Sequence, residues 1–167
     1  MSIDIFKKVL LFIILVLSQI LVLNHIHLFG CAVPLLYVYF ILLFNRYYPR
    51  WALLLWGFLL GLLIDIFGNT PGLNASAATF LALVRNPLLR SQTMRDVADD
   101  FTPSVRTMGF SPFARYVVAG VFLHILFLQL LDAFSFARWM PLLWKVLTDT
   151  AATLVCVAGV EMMRRKR

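Results

Sequence analysis

Apolar positions in this chain gather into long runs separated by short polar connections, and the runs place spans near 9–28, 31–44, 51–67, 73–89, 116–136 and 142–163. Stretches of this length and apolarity read as membrane helices rather than as half-buried strands. The first follows Lys7 and Lys8, as the apolar part of a secretory signal would, but no small-x-small cleavage site comes after it, so the expectation is an uncleaved helix. Pro34 falls early in the second run, where the first turn of a helix tolerates it. The fourth run is apolar from 75 to 84, and extending it to a full span requires Arg85 to snorkel to the surface. Residues 90–115 then form the one sizeable loop, broken by Pro103, Gly109 and Pro112, with room for a short helix around 92–101.

Composition sharpens this picture. Hydrophobic residues make up 62% of the 167 positions and charged residues only 14%, well away from the balance of a soluble domain. The expected fold class is an all-α polytopic membrane protein of about six transmembrane helices in one membrane domain, 1–167, with no room for a separate soluble catalytic domain. The formal net charge of +7 raises nucleic-acid binding as a possibility, yet no basic groove interleaved with aromatics is visible, and no nucleic acid is expected. The basic residues instead sit between spans. Lys7 and Lys8, then Arg46 and Arg50, then Arg85, Arg90, Arg95, Arg106 and Arg115, then Arg164, Arg165, Lys166 and Arg167 fall on alternate connections, leaving Arg138 and Lys145 on the other side. This topogenic pattern orients a six-helix chain with both termini in the cytoplasm. Trp51, Trp139, Trp144, Tyr47, Tyr48 and Tyr116 fall near span ends, where aromatic belts form. The long loop, besides orienting the chain, offers a docking surface for anionic lipid or a cytoplasmic partner.

Candidate chemistry is sparse. On the third span Gly57, Gly61 and Asp65 recur every four residues and share one helical stripe, a small-xxx-small arrangement that admits close approach by another backbone and turns Asp65 into the bundle. Ala75, Ser76, Ala77 and Ala78 make the fourth span a plausible neighbour. Asp65 is read as a helix-packing acid, with a ligand, ion or partner contact as the alternatives that an intramembrane carboxylate keeps open. Asn69, Pro71, Gly72 and Asn74 follow it, and the Pro-Gly pair specifies a tight turn between two antiparallel helices. On the fifth span His124, Leu128 and Asp132 share a face, with Gln129 pointing elsewhere; interhelical hydrogen bonding is the first reading and a proton relay the second. On the sixth, Lys145 with Asp149 and Glu161 with Arg164 or Arg165 are spaced to pair. His25 and His27 lie two apart and lack companion ligands, so no metal is expected. Cys31 and Cys156 fall at different depths, and no disulfide is expected. Gly-Lys-Ser/Thr, Gly-x-Gly-x-x-Gly, Gly-x-Ser-x-Gly and His-Glu-x-x-His motifs are all missing from the sequence. No cofactor and no enzyme activity is expected.

These features together resemble the rod-shape-determining MreD family: a short basic N-terminus, about six spans, and a third span carrying Gly57-x-x-x-Gly61-Leu62-Leu63-Ile64-Asp65 that continues into Thr70-Pro71-Gly72-Leu73-Asn74-Ala75. The resemblance covers essentially the whole chain. It implies a non-catalytic subunit of the bacterial cell-elongation machinery in the cytoplasmic (inner) membrane. Its partners would be an MreC-like bitopic protein and, through it, MreB, RodA and a penicillin-binding transpeptidase, with a role in scaffolding peptidoglycan synthesis and maintaining rod shape. It further implies the fold of the substrate-binding S components of energy-coupling-factor transporters. A vitamin-binding S component is therefore the alternative reading, with Asp65, Asn69, Asn74 and Asp132 lining an outward polar pocket. Against it, S components resemble one another in an Ala-x-x-x-Ala motif on the first helix, and residues 9–23 contain no alanine. The long loop departs from some relatives and leaves open which surface meets cytoplasmic partners.

Overall fold

A computed structural model describes residues 2–23, 33–93, 102–133 and 139–165, and among these the only regular structure is helical. The elements are α1 (Ser2–Ser18), which runs on into a π-helical turn (Gln19–Leu23), α2 (Val38–Leu42), α3 (Arg50–Gly68), α4 (Leu73–Gln92), α5 (Val105–Met108), α6 (Phe110–Ala133) and α7 (Trp139–Arg165). Three stretches are long and apolar enough to cross a membrane: Arg50–Gly68, Phe110–Ala133 and Leu142–Arg164. Their outward faces remain apolar. Leu55, Phe58, Phe67, Phe122, Leu147 and Val155 are all exposed, an arrangement that water penalises and hydrocarbon favours. Among the described residues the chain is all-helical, with three helices fit to cross a membrane.

α3 and α4 form an antiparallel hairpin. α3 ends where Asn69 adopts a left-handed conformation (φ 52°), its N–H closing on the Asp65 carbonyl, and Gly72 (φ 81°) supplies the second positive φ before α4 begins. The two helices approach closely through glycine. A Cβ on Gly61 would lie 2.4 Å from the Asn74 carbonyl oxygen, and one on Gly57 would lie 3.0 Å from that of Ala78. α4 is long enough to span but carries Asn74, Arg85 and Asn86, and it is not apolar enough to count among the three. It buries its polar and small residues, Asn74, Ala75, Ala77, Ala78, Ala82 and Arg85, against its neighbours.

The second expected span is corrected by the structure. Over the described part of 31–44 the chain is not one helix: residues 33–35 have no regular structure, 36–37 form a turn, and α2 has only five residues, about 8 Å of rise against the roughly 30 Å of a bilayer core. Pro34 has no N–H and disfavours helix in Val33. At the other end, Asn45 Oδ1 accepts the Tyr47 N–H at 3.1 Å and Pro49 opens α3. Hydropathy misled because this run faces protein, not lipid. Tyr37 to Leu42 are each 0–1% exposed, so the segment is the axis around which α1, α3, α4, α6 and α7 pack.

Other boundaries shift. α1 starts at Ser2, and its expected continuation to 28 lies outside the described residues beyond 23. α6 begins at Phe110 rather than 116, and α7 covers Trp139–Arg165 rather than 142–163. The expected 90–115 loop is shorter, because α4 runs to Gln92 and the stretch also holds α5 and the first turns of α6. The short helix expected around 92–101 lies largely outside the described residues, as do His25, His27, Cys31, Arg95 and Arg138.

Candidate functional site

The irregular backbone of 33–37 creates a chemical demand, since buried N–H and C=O groups at membrane depth must find partners within the protein. Polar side chains from the surrounding helices supply them. The Gln19 carboxamide lies alongside this backbone as a neighbouring strand would, its Nε2 donating to the Pro34 carbonyl and its Oε1 accepting the Leu36 N–H, both at 3.0 Å. Asp149 Oδ1 accepts the Val33 N–H at 3.0 Å, and its Oδ2 accepts from Gln129 Nε2 at 2.9 Å. Thr153 Oγ1 accepts the Leu35 N–H at 3.0 Å while donating to the Asp149 carbonyl at 2.7 Å. Further along, the Tyr116 hydroxyl donates to the Leu42 carbonyl at 3.0 Å. Tyr39 donates to the Glu161 carboxylate, whose other oxygen accepts the Val105 N–H at 3.3 Å, tying α2 and α5 to the end of α7.

Asp65 anchors a second network. Its Oδ1 accepts from Thr70 Oγ1 (2.8 Å), the Asn74 N–H (3.0 Å) and Asn74 Nδ2 (2.9 Å), and its Oδ2 accepts the Ala75 N–H (2.8 Å). α4 starts at Gly72, which has no side chain to cap it, so Asp65 reaches across from α3 and serves as the cap. This chemistry orders the atoms beyond. With its amide donating to Asp65, Asn74 turns Oδ1 toward Tyr37, whose hydroxyl donates to it at 2.9 Å and lies 2.8 Å from His124 Nε2. Because the Tyr37 proton is engaged with Asn74, the contact with His124 requires Nε2 to be the donor. Asp65, Asn74, Tyr37 and His124 thus link α3, α4, the irregular segment and α6 in one chain of bonds. Asp65 is 4% exposed, and Tyr37 and His124 are fully buried.

The remaining expected residues lie elsewhere. Asn69, Pro71 and Gly72 are exposed at the turn. Asp132 does not share the interior with His124. It is exposed and forms an ion pair at 3.5 Å with Lys145, so the expected Lys145–Asp149 pair is not formed and Asp149 is free to hold Val33. Gln129, expected to point away, is the buried partner on α6. Glu161 and Arg164 pair at 3.6 Å. Arg50, Arg90, Arg106 and Arg115 are exposed and Arg46 is half-buried, but Arg85 does not snorkel: it is fully buried. Among the described residues no cluster of three or more His, Cys, Asp or Glu suits a metal, and Cys156 is a free thiol.

Gln19, Tyr37, Tyr39, Tyr116, Gln129, Asp149, Thr153 and Glu161 were not singled out as interior contacts by sequence reasoning. One signal existed. Asp149, Thr153, Val157 and Glu161 recur every four residues and all are buried, but pairing Lys145 with Asp149 on the helix surface obscured the stripe. No family model, no curated protein and no solved structure matches this chain. Fold and site together define a class, a helical membrane protein with a discontinuous central segment held by side-chain hydrogen bonds.

Proposed function

We propose that this chain is a non-catalytic, multi-pass subunit of the bacterial inner membrane, an MreD-type scaffold of the cell-elongation machinery that associates with an MreC-like bitopic protein. Through it the scaffold meets MreB, RodA and a penicillin-binding transpeptidase. In this reading the irregular segment counts as a crossing alongside α1, α3, α4, α6 and α7, giving six passes with both termini in the cytoplasm. The observation that carries the reading is the state of the interior acids. Both oxygens of Asp65 are engaged in capping α4, and both oxygens of Asp149 hold Val33 and Gln129. Groups engaged in this way stiffen a frame, and these two interior carboxylates are committed to it rather than left open to a substrate.

The same observation weighs against the S-component alternative, because its pocket needs Asp65 and Asn74 free and Asp132 turned inward. Affinity purification of the tagged chain from its native membrane in mild detergent, with mass spectrometry of what accompanies it, tests the choice. Co-purification of an MreC-like protein with wall synthases is the expected result. Recovery of paired ATPases with a transmembrane coupling subunit would replace the scaffold with a transporter.

A further inference from the structure

Arg85 is fully buried near the end of α4, yet only one of its three guanidinium nitrogens has a hydrogen-bond partner. Nη1 donates to the Asn45 carbonyl at 3.3 Å and to Asn86 Oδ1 at 3.0 Å. Nε and Nη2 have no partner. The Tyr116 hydroxyl has its proton on the Leu42 carbonyl and turns its oxygen toward the guanidinium as a neutral acceptor, which leaves the charge itself unpaired. The two unpartnered nitrogens form one edge of the planar group, the edge that grips two oxygens of a carboxylate or phosphate at once. A second, independent observation is the charge around it. The hairpin brings Arg50 and Arg90 to the same end of the bundle, the bond to Asn45 adds the loop bearing Arg46, and the Tyr116 bond adds Arg115. Among the described residues no acidic side chain pairs with Arg85, and Glu161, on α7, is already held by Tyr39 and Arg164.

We propose that the Nε–Nη2 edge of Arg85 is a binding site for the phosphate of an anionic phospholipid headgroup at the basic face of the membrane. Because Arg85 is fully buried, admitting a headgroup requires a local opening beside the Asn45 carbonyl that holds Nη1. A phosphate completes the fork and neutralises a charge that is otherwise isolated in a medium of low dielectric. The surface arginines raise the local concentration of anionic lipid, and the buried fork confers the tight single site.

The test is thermal unfolding of the purified full chain in neutral detergent, titrated with phosphatidylglycerol, phosphatidylcholine or inorganic phosphate, with native mass spectrometry counting retained lipids. Phosphatidylglycerol should raise the melting temperature and leave one tightly held lipid, with phosphatidylcholine at least tenfold weaker. Arg85→Lys keeps the charge without the fork and should weaken phosphatidylglycerol at least tenfold. Arg90→Gln, at an exposed position, should retain the tight lipid. Arg85→Gln, which removes the charge as well, should lose the tight lipid; should it fail to fold, Arg85→Lys still decides. Equal phosphatidylglycerol response in wild type and Arg85→Lys would overturn the site, and equal stabilisation by inorganic phosphate would reassign it to the free anion.

Discussion

At the scale of single residues, Asp65 shows how a buried acid in a membrane helix can be structural in detail. Its two oxygens meet only donors: a hydroxyl, a side-chain amide and two backbone N–H groups. Asp65→Asn retains an acceptor for the Asn74 side but sets an NH2 group against one of these donors, so we expect a loss of about 1–3 kcal/mol. Thermal unfolding in detergent measures it, and an unchanged melting temperature would remove Asp65 from the cap. The stripe holding Gly57, Gly61 and Asp65 was legible in the sequence because a period of four in an apolar run places residues on one face. What Asp65 bonds was not legible, since the cap depends on how far α4 is displaced along α3. His124 illustrates the same limit: its eight-residue spacing from Asp132, two steps of four, is real, but Asp132 lies near the end of α6, where Lys145 reaches it from α7.

At the scale of elements, the departure at 33–44 has a physical cause. Hydropathy reports that a segment avoids water, and an irregular stretch sheathed by helices avoids it as well as a lipid-facing helix does. The distinction rests on backbone partners, which Gln19, Asp149 and Thr153 supply from distant parts of the chain. Replacing Gln19 with Leu keeps the apolar character of the turn but strands the Pro34 carbonyl and the Leu36 N–H, and we expect a cost of about 1–3 kcal/mol for each stranded group. Thr153→Val preserves shape and strands one, so its melting temperature should fall less than that of Gln19→Leu; the reverse order would show that the segment is held elsewhere. The hairpin gives a second graded expectation. A methyl at Gly61 meets α4 backbone at 2.4–2.5 Å, whereas one at Gly57 meets it at 3.0 Å. Overpacking typically costs about 1–3 kcal/mol, so Gly61→Ala should lower stability and monodisperse yield more than Gly57→Ala, as size-exclusion chromatography and thermal unfolding will show.

At the scale of the whole molecule, charge and bonding give the bundle two unlike ends. Tracing the irregular segment, Val33 lies level with Gln129 and Asp149, and Leu42 lies level with Tyr116. On α6 the distance from Tyr116 to Gln129 is about 20 Å at 1.5 Å per residue, so about ten residues, an irregular start followed by a turn and the short α2, traverse what one continuous helix would need thirteen or more to cover. At the Leu42 end stand Arg50, Arg85, Arg90 and Arg115; at the other lie the Asn69–Gly72 turn and, among the described residues, Lys145 as the lone basic side chain. Basic residues stay on the cytoplasmic side during insertion, so the turn should face outward. Single cysteines report this directly. In a chain whose Cys31 and Cys156 are replaced by Ser, Pro71→Cys lies exposed at the turn and Ser91→Cys lies exposed near the far end of α4. A membrane-impermeant maleimide applied to intact spheroplasts should label Pro71→Cys at once and Ser91→Cys only after lysis. The opposite pattern would invert the molecule, and labelling of both before lysis would mean that the α3–α4 hairpin does not cross the membrane.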